Sequence, residues 1–310
     1  MNDPDDLYLV WRYVDVHAHI RHPVRGTSAP APGGQSFEKY LARMAQTNIV
    51  AAIPSTAGGG PLEGGLQDVR DRNDATAAGC RRYAQRFPLG LALLEPACGP
   101  GGAAEIERAM TRAGLAGLMC PPAAPGAAAE ALTEVLPPAL EAVDARGGLA
   151  LLHVGGGGLS PQAAATYARR FHRTTFIMAN VSLTEAGHRE SIAALAGVEN
   201  VWCDFARHPG HPATAEGSWD LPDLVRGLSA GRLLFGSDAP YYDYRQLQQE
   251  IEVARIDSPR KDRITWANAV ELIQRFRPGW TPPPAPPDAP PAFAGVPLWQ
   301  PLPGKPGRLL

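Results

Sequence analysis

The chain has 310 residues with a formal net charge of −2, and only 19% of its residues are charged. That length suffices for one large α/β domain or two smaller ones. The near-neutral charge, without any basic block, argues against a nucleic-acid binder or an anionic-membrane binder. Cys80, Cys98, Cys120 and Cys203 form no Cys-x-x-Cys pair, the start of the chain lacks a signal-peptide pattern, and no window approaches the roughly eighteen apolar residues of a membrane span; a reduced, cytoplasmic protein is expected.

The first candidate strand, Tyr13–His17, is followed at once by His19. Side chains alternate across a strand, so His17 and His19 should project to one side, as half of a transition-metal site. The Gly-, Pro-, Ala- and Ser-rich stretch Arg25–Ser36 comes next, then strand Ile49–Ile53 and a second such stretch, Thr56–Gly65. Both stretches are read as loops over the mouth of the fold. The chain then alternates. Helices are expected over Val69–Arg86, Ala103–Ala113, Ala128–Arg146, Pro161–Phe171, Thr184–Leu195 and Leu221–Ser229, where apolar residues recur at i, i+3 and i+4. Between and after them come strands Leu89–Leu94, Leu115–Met119, Leu149–Val154, Thr175–Ala179, Asn200–Phe205 and Arg232–Phe235. Glycines such as Gly114, Gly147 and Gly231 close several helices before the next strand.

Eight strands with intervening helices predict an α/β fold, a (β/α)8 TIM-like barrel, over residues 1–276, with a doubly wound open sheet as the alternative. The barrel is preferred because polar candidates recur just after strands one, five, six, seven and eight, ends that converge on one mouth only in a closed barrel. Residues 277–310 carry twelve prolines together with Trp280, Phe293 and Trp299. They predict a proline-rich extended C-terminal arm packed on the barrel or on a neighbouring subunit, the latter being compatible with a homodimer.

The strand ends collect the chemistry. His17 and His19 follow strand one, His153 ends strand five, and Asp238 follows strand eight. Together they could hold one divalent ion and leave a position for water. Arg207 follows strand seven, where it could clamp a substrate carboxylate; Arg21 and Arg25 could do the same, and Tyr241 and Tyr242 could line the pocket. The set favours a small acidic or carbonyl-bearing substrate.

Asp15-Val-His17-Ala-His19, Leu152-His153-Val-Gly155 and Gly236-Ser237-Asp238-Ala-Pro240 resemble the amidohydrolase superfamily. The nearest branch is the amidohydrolase-related family of aminocarboxymuconate-semialdehyde decarboxylase and the pyrone-dicarboxylate lactonases. The resemblance spans about residues 10–276 and takes in Asn200-Val-Trp-Cys-Asp204 and Trp266-Ala-Asn268-Ala269. It implies a barrel with one ion, zinc or alternatively manganese, held by His17, His19, His153 and Asp238, the last also accepting a proton. Two departures stand out. Gly117-Leu-Met-Cys120-Pro-Pro122 offers no lysine for a second metal, and Asn180 stands where the family usually ends strand six in histidine. Asparagine can orient a substrate but cannot shuttle a proton near neutral pH. Asp238 then handles the proton alone, or His188 reaches in. The expected function is a metal-dependent hydrolase of an amide, lactone or related carbonyl of a small acid, through metal-activated water. The alternatives are a non-oxidative decarboxylase, a metal-free lactonase and a barrel that binds without turnover.

Overall fold

The computed structural model describes residues 11–21, 35–56, 62–122, 127–155, 158–182, 184–206, 221–242 and 244–284. Arg25, Arg207, Phe293, Trp299 and most of the two small-residue loops therefore lie outside the described residues. Eight parallel strands run in sequential order: β1 (Tyr13–Ile20), β2 (Ile49–Thr56), β3 (Leu91–Leu93), β4 (Gly117–Cys120), β5 (Leu149–His153), β6 (Thr175–Ala179), β7 (Val201–Asp204) and β8 (Leu233–Leu234). A doubly wound sheet would reverse direction at a switch point, and this order does not. The last strand returns to the first through Val16 N–H to the Phe235 carbonyl at 3.0 Å, Asp238 N–H to His17 at 2.7 Å and His19 N–H to Ala239 at 2.7 Å. The result is a nearly closed (β/α)8 barrel.

Helices α1 (Phe37–Thr47), α2 (Leu66–Arg82), α3 (Pro100–Arg108), α4 (Ala127–Ala145), α5 (Pro161–Arg170), α6 (Glu185–Leu195) and α7 (Leu221–Leu228) separate the strands in turn. Helix α1 was not expected from the sequence. It starts at a serine cap, with Ser36 Oγ accepting from Lys39 N–H, and stops at Asn48 in the left-handed conformation. After β8 the chain adds α8 (Tyr244–Val253), α9 (Ser258–Asp262) and α10 (Asn268–Phe276).

Alternation divides the core into two shells. Met119, Leu149, Leu151, Ile177, Ala179 and Leu234 fill the barrel interior, while Leu118, Leu152, Phe176, Met178 and Phe235 face the helices. The interior is plugged from below by α10 and by Trp280, which joins the same cluster. The Trp280 indole donates to the Gln85 carbonyl at 3.2 Å, and Arg277 donates to Ala84 at 2.6 Å, both in the loop before β3. Residues 277–284 thus pack on the barrel; the rest of the predicted arm lies outside the described residues. Asn268 donates to the carbonyls of Ala230 and Leu233 at 2.7 and 2.8 Å, pinning α10 to the entrance of β8. No described helix is long and apolar enough to cross a membrane.

Candidate metal centre

Simple alternation along β1 does not bring its histidines inward. Val14 and Val16 both belong to the barrel interior, so His17 and His19 would face the helices if the strand were regular. A register shift intervenes: Asp15 pairs with Ala52, but Ala18 pairs with Pro54, so three steps on β1 oppose two on β2. This bulge turns Ala18 and Ile20 to the outer shell and leaves His17 and His19 on the inside. The i, i+2 spacing puts the two rings on one side; the bulge decides which side.

The same bend is tied to β8 by Asp15, fully buried behind the strand. Its carboxylate accepts from the backbone N–H groups of His17 and Ser237 at 3.0 and 2.9 Å and from the hydroxyls of Tyr40 and Ser237. Burial raises the Asp15 pKa, and these four donors work against that rise. Ser237 so held presents the next residue, Asp238, in the left-handed conformation with φ 50°.

His17, His19, His153 and Asp238 are all buried, and one donor atom from each lies within 4.8 Å of the others. Each imidazole is held at its Nδ1. His153 Nδ1 is 2.9 Å from the Cys120 carbonyl, an acceptor only, so this nitrogen carries the hydrogen. His19 Nδ1 is 3.0 Å from Ser55 Oγ, whose own hydrogen points to the Ala18 carbonyl at 3.5 Å. His17 Nδ1 lies 3.1 Å from Asp204 Oδ2, a contact of ion-pair length whose N–H is off the line of an ideal hydrogen bond. With the hydrogen on Nδ1 in each ring, every Nε2 would present a lone pair, the form in which an imidazole binds a metal. Two of them, on His17 and His19, stand 3.0 Å apart, and Asp238 Oδ1 is 3.2 Å from His19 Nε2 and 3.7 Å from His17 Nε2.

Three lone pairs and a carboxylate facing one another repel unless a positive charge sits among them. A nitrogen-rich set of four donors with ordered outer partners fits a mononuclear divalent ion. The titration behaviour reflects the same field. Burial opposes charge on His17, yet Asp204 and Asp238 outweigh it and raise its pKa; burial, reinforced by His17, pushes His153 down to about 3. Cys120 contributes its carbonyl, while burial pushes its thiol up to about 12, away from the thiolate a metal would need.

Asn180 follows β6 in the left-handed conformation, φ 63°, a conformation asparagine tolerates better than most residues. It is 6% exposed, and its Oδ1 is buried without a hydrogen-bond partner. Its backbone N–H donates to Asp204 Oδ1 at 3.1 Å. Arg21 and Tyr241 come together at the mouth: the guanidinium carbon is 5.8 Å from the Tyr241 ring centroid, and that ring lies 5.4 Å from His19. Tyr242 is partly exposed. His188 does not join the donors. It is buried in a separate chain in which Nδ1 lies 2.8 Å from Ser182 Oγ and Nε2 lies 2.9 Å from Asp223 Oδ2.

Sequence reasoning missed Asp204 and Ser55 as partners of the histidines. Asp204 was visible as the last residue of a strand whose end faces the mouth. Ser55 had no signal beyond its place near the end of β2.

The amidohydrolase family model matches residues 14–275. No curated protein matches the sequence. Among solved structures, the fold is similar to 2,6-dihydroxybenzoate decarboxylase from Rhizobium, with TM-score 0.60 and 16% identity over 85% of this chain and 99% of that one. A 5-carboxyvanillate decarboxylase from Novosphingobium aromaticivorans, complexed with manganese and 4-hydroxy-3-methoxy-5-nitrobenzoic acid, gives TM-score 0.60 and 13% identity over 86% and 96% of the chains. A probable 2-pyrone-4,6-dicarboxylic acid hydrolase from Acinetobacter baumannii, with citric acid bound, gives TM-score 0.55 and 14% identity over 85% and 99%.

Proposed function

The chain belongs to the amidohydrolase family, and from that premise we propose that it is a single-metal hydrolase opening an amide, lactone or related carbonyl of a small acid. The observation that carries the reading is the convergence of a ring nitrogen from each of three histidines and the Asp238 carboxylate on one buried point. His17, His19, His153 and Asp238 would hold the ion, and the nitrogen-rich set favours zinc, with manganese as the alternative. Bound there, a divalent ion polarises a carbonyl and makes water acidic enough to lose a proton near neutral pH.

The chain's own residues do the rest. Asp238, fixed by its left-handed backbone, takes up the proton released when water adds to the carbonyl and returns it to the leaving group. Asn180 orients the substrate through its amide without exchanging protons. Arg21, against Tyr241 beside His19, supplies the cation for a substrate carboxylate, with Arg207 in a matching role after β7. The buried position of the donors keeps bulk water away from the reacting carbonyl.

A decarboxylase is the second reading, favoured by the fold shared with two decarboxylases of aromatic acids. Loss of carbon dioxide needs a proton delivered to substrate carbon, and since Asn180 offers no acid, Asp238 would have to arrive already protonated. Hydrolysis supplies the Asp238 proton from the attacking water itself, so it is preferred. Incubation of the zinc- or manganese-loaded protein with panels of lactones, amides and hydroxybenzoates in ¹⁸O-labelled water separates the two. Label in a new carboxylate supports hydrolysis; release of carbon dioxide with an unlabelled organic product supports the lyase.

A further inference from the structure

Asp204 is buried with 0% exposure at the end of β7, and its two carboxylate oxygens have different duties. Oδ1 accepts two backbone N–H groups, from Asn180 at 3.1 Å and from Ala206 at 3.0 Å. Oδ2 stands 3.1 Å from His17 Nδ1. Its main-chain carbonyl accepts Val181 N–H at 3.1 Å, so the corner after β6 is held at two points by one residue. The packing around it is closed. A Cβ on Gly236 would lie 2.8 Å from Asp204 Cγ, and nothing larger than glycine leaves the carboxylate in place.

We propose that Asp204 is the positioning residue of the metal centre: one oxygen fixes the tautomer of His17, and the other fixes the backbone of Asn180. This rests on the single-metal reading above. A carboxylate facing Nδ1 keeps the hydrogen there and leaves Nε2 bare for the ion. The Oδ1 side is fully committed to two N–H donors and therefore needs an oxygen. That asymmetry makes Asp204→Asn a selective probe. The amide oxygen must take the Oδ1 position, so the amide NH₂ must face His17 Nδ1. Two donors cannot share that contact, and His17 has to move its hydrogen to Nε2, where it blocks the lone pair. Asn180 keeps its backbone hydrogen bond throughout.

The test is zinc affinity by competition with a chelating dye, for the wild type and Asp204→Asn, with circular dichroism as the check on folding. The expected result is a 10- to 100-fold weaker zinc complex in a folded variant, with the Asn180 amide resonance little changed. Equal affinity in the two proteins overturns the role of Asp204 while leaving the metal centre intact. A wild type that takes up no zinc or manganese overturns the metal centre and this inference with it. Should Asp204→Asn fail to fold, the histidine ¹⁵N spectrum of the metal-free wild type, taken at a pH where His17 is neutral, decides. His17 protonated at Nδ1 and bare at Nε2 supports the assignment, and the opposite tautomer overturns it.

Discussion

Gly236 and Asp204 touch so closely that a Cβ on the glycine would meet the Asp204 Cγ at 2.8 Å, and the His17 Cβ at 2.9 Å. The glycine belongs to the run that follows β8, and its missing side chain is the space in which the carboxylate meets the imidazole. Gly236→Ala forces apart the two groups that must stay in contact. Overpacking of this kind costs about 1–3 kcal/mol. The expected outcome is a lower urea midpoint together with a weakened zinc complex, both measured on the same preparation. A loss of stability with undiminished zinc affinity would show that the His17–Asp204 contact is dispensable for binding.

The four donors can be tested one at a time. His19 lies against Ser55 and Asp238 and takes no part in the outer shell of the core, so His19→Ala removes a proposed ligand with little loss of packing. The purified variant should retain less than a tenth of the wild-type zinc by mass spectrometry, with an unchanged circular dichroism spectrum. Zinc retained at the wild-type level would remove His19 from the ligand set.

Asn180→His restores a titratable ring at the end of β6, and histidine tolerates the φ of 63° better than most replacements. A positioned general acid–base group contributes on the order of 10²–10⁴-fold. If Asp238 works alone in the present protein, turnover of simple lactones should rise at least about tenfold and acquire a pH dependence centred near the ordinary histidine value. If instead the variant loses a native activity, the asparagine amide is itself required to orient that substrate.

The pattern of apolar runs was enough to place all eight strands, and β6 falls at Thr175–Ala179 as the sequence predicts. The three strand ends that carry His17, His153 and Asp238 were legible for the same reason, since polar residues at the close of apolar runs stand out. What was not legible depends on contacts far apart in sequence. Helix α1 carries a serine cap and buried Phe37, Tyr40 and Met44 at helical spacing, signals that the adjoining loop of small residues obscures. The bulge between Asp15 and Ala18 is a property of pairing with β2 and leaves no trace in β1 alone. Asp204 reads as an ordinary strand end until β6 and β1 are brought beside it. His188, the other candidate to carry the proton, has neighbours Ser182 and Asp223 from different elements, and these commit it to a structural chain.

That chain gives a pH-dependent prediction. Burial works to raise the Asp223 pKa, but the hydrogen bond from His188 and the Arg226 guanidinium prevail and hold it below the ordinary carboxylate value. A carboxylate lowered on folding adds stability above its unfolded pKa and loses it as the pH falls through the folded value. Asp223→Asn should therefore be destabilising at pH 7, and the difference from wild type should shrink as the pH drops below about 4. Urea titrations of both proteins from pH 7 to pH 3 measure it. A difference that stays constant across that range would mean that the Asp223 charge contributes nothing.

The opposite end of the barrel supplies a control that separates stability from chemistry. Trp280 is 3% exposed, lies among the interior residues and donates to Gln85, in the loop that enters β3 from the bottom. Its distance from the mouth means that its removal should be felt by the core and not by the donors. Trp280→Ala opens a cavity where a large aromatic filled the base of the interior, a change that costs about 3–5 kcal/mol in cores of this kind. The expected result is a large drop in the urea midpoint with zinc affinity, measured well below that midpoint, equal to that of the wild type. Were zinc affinity to fall in step with stability, the barrel would transmit strain along its full length. The tight coupling assigned to Gly236 and Asp204 would then lose its claim to be local.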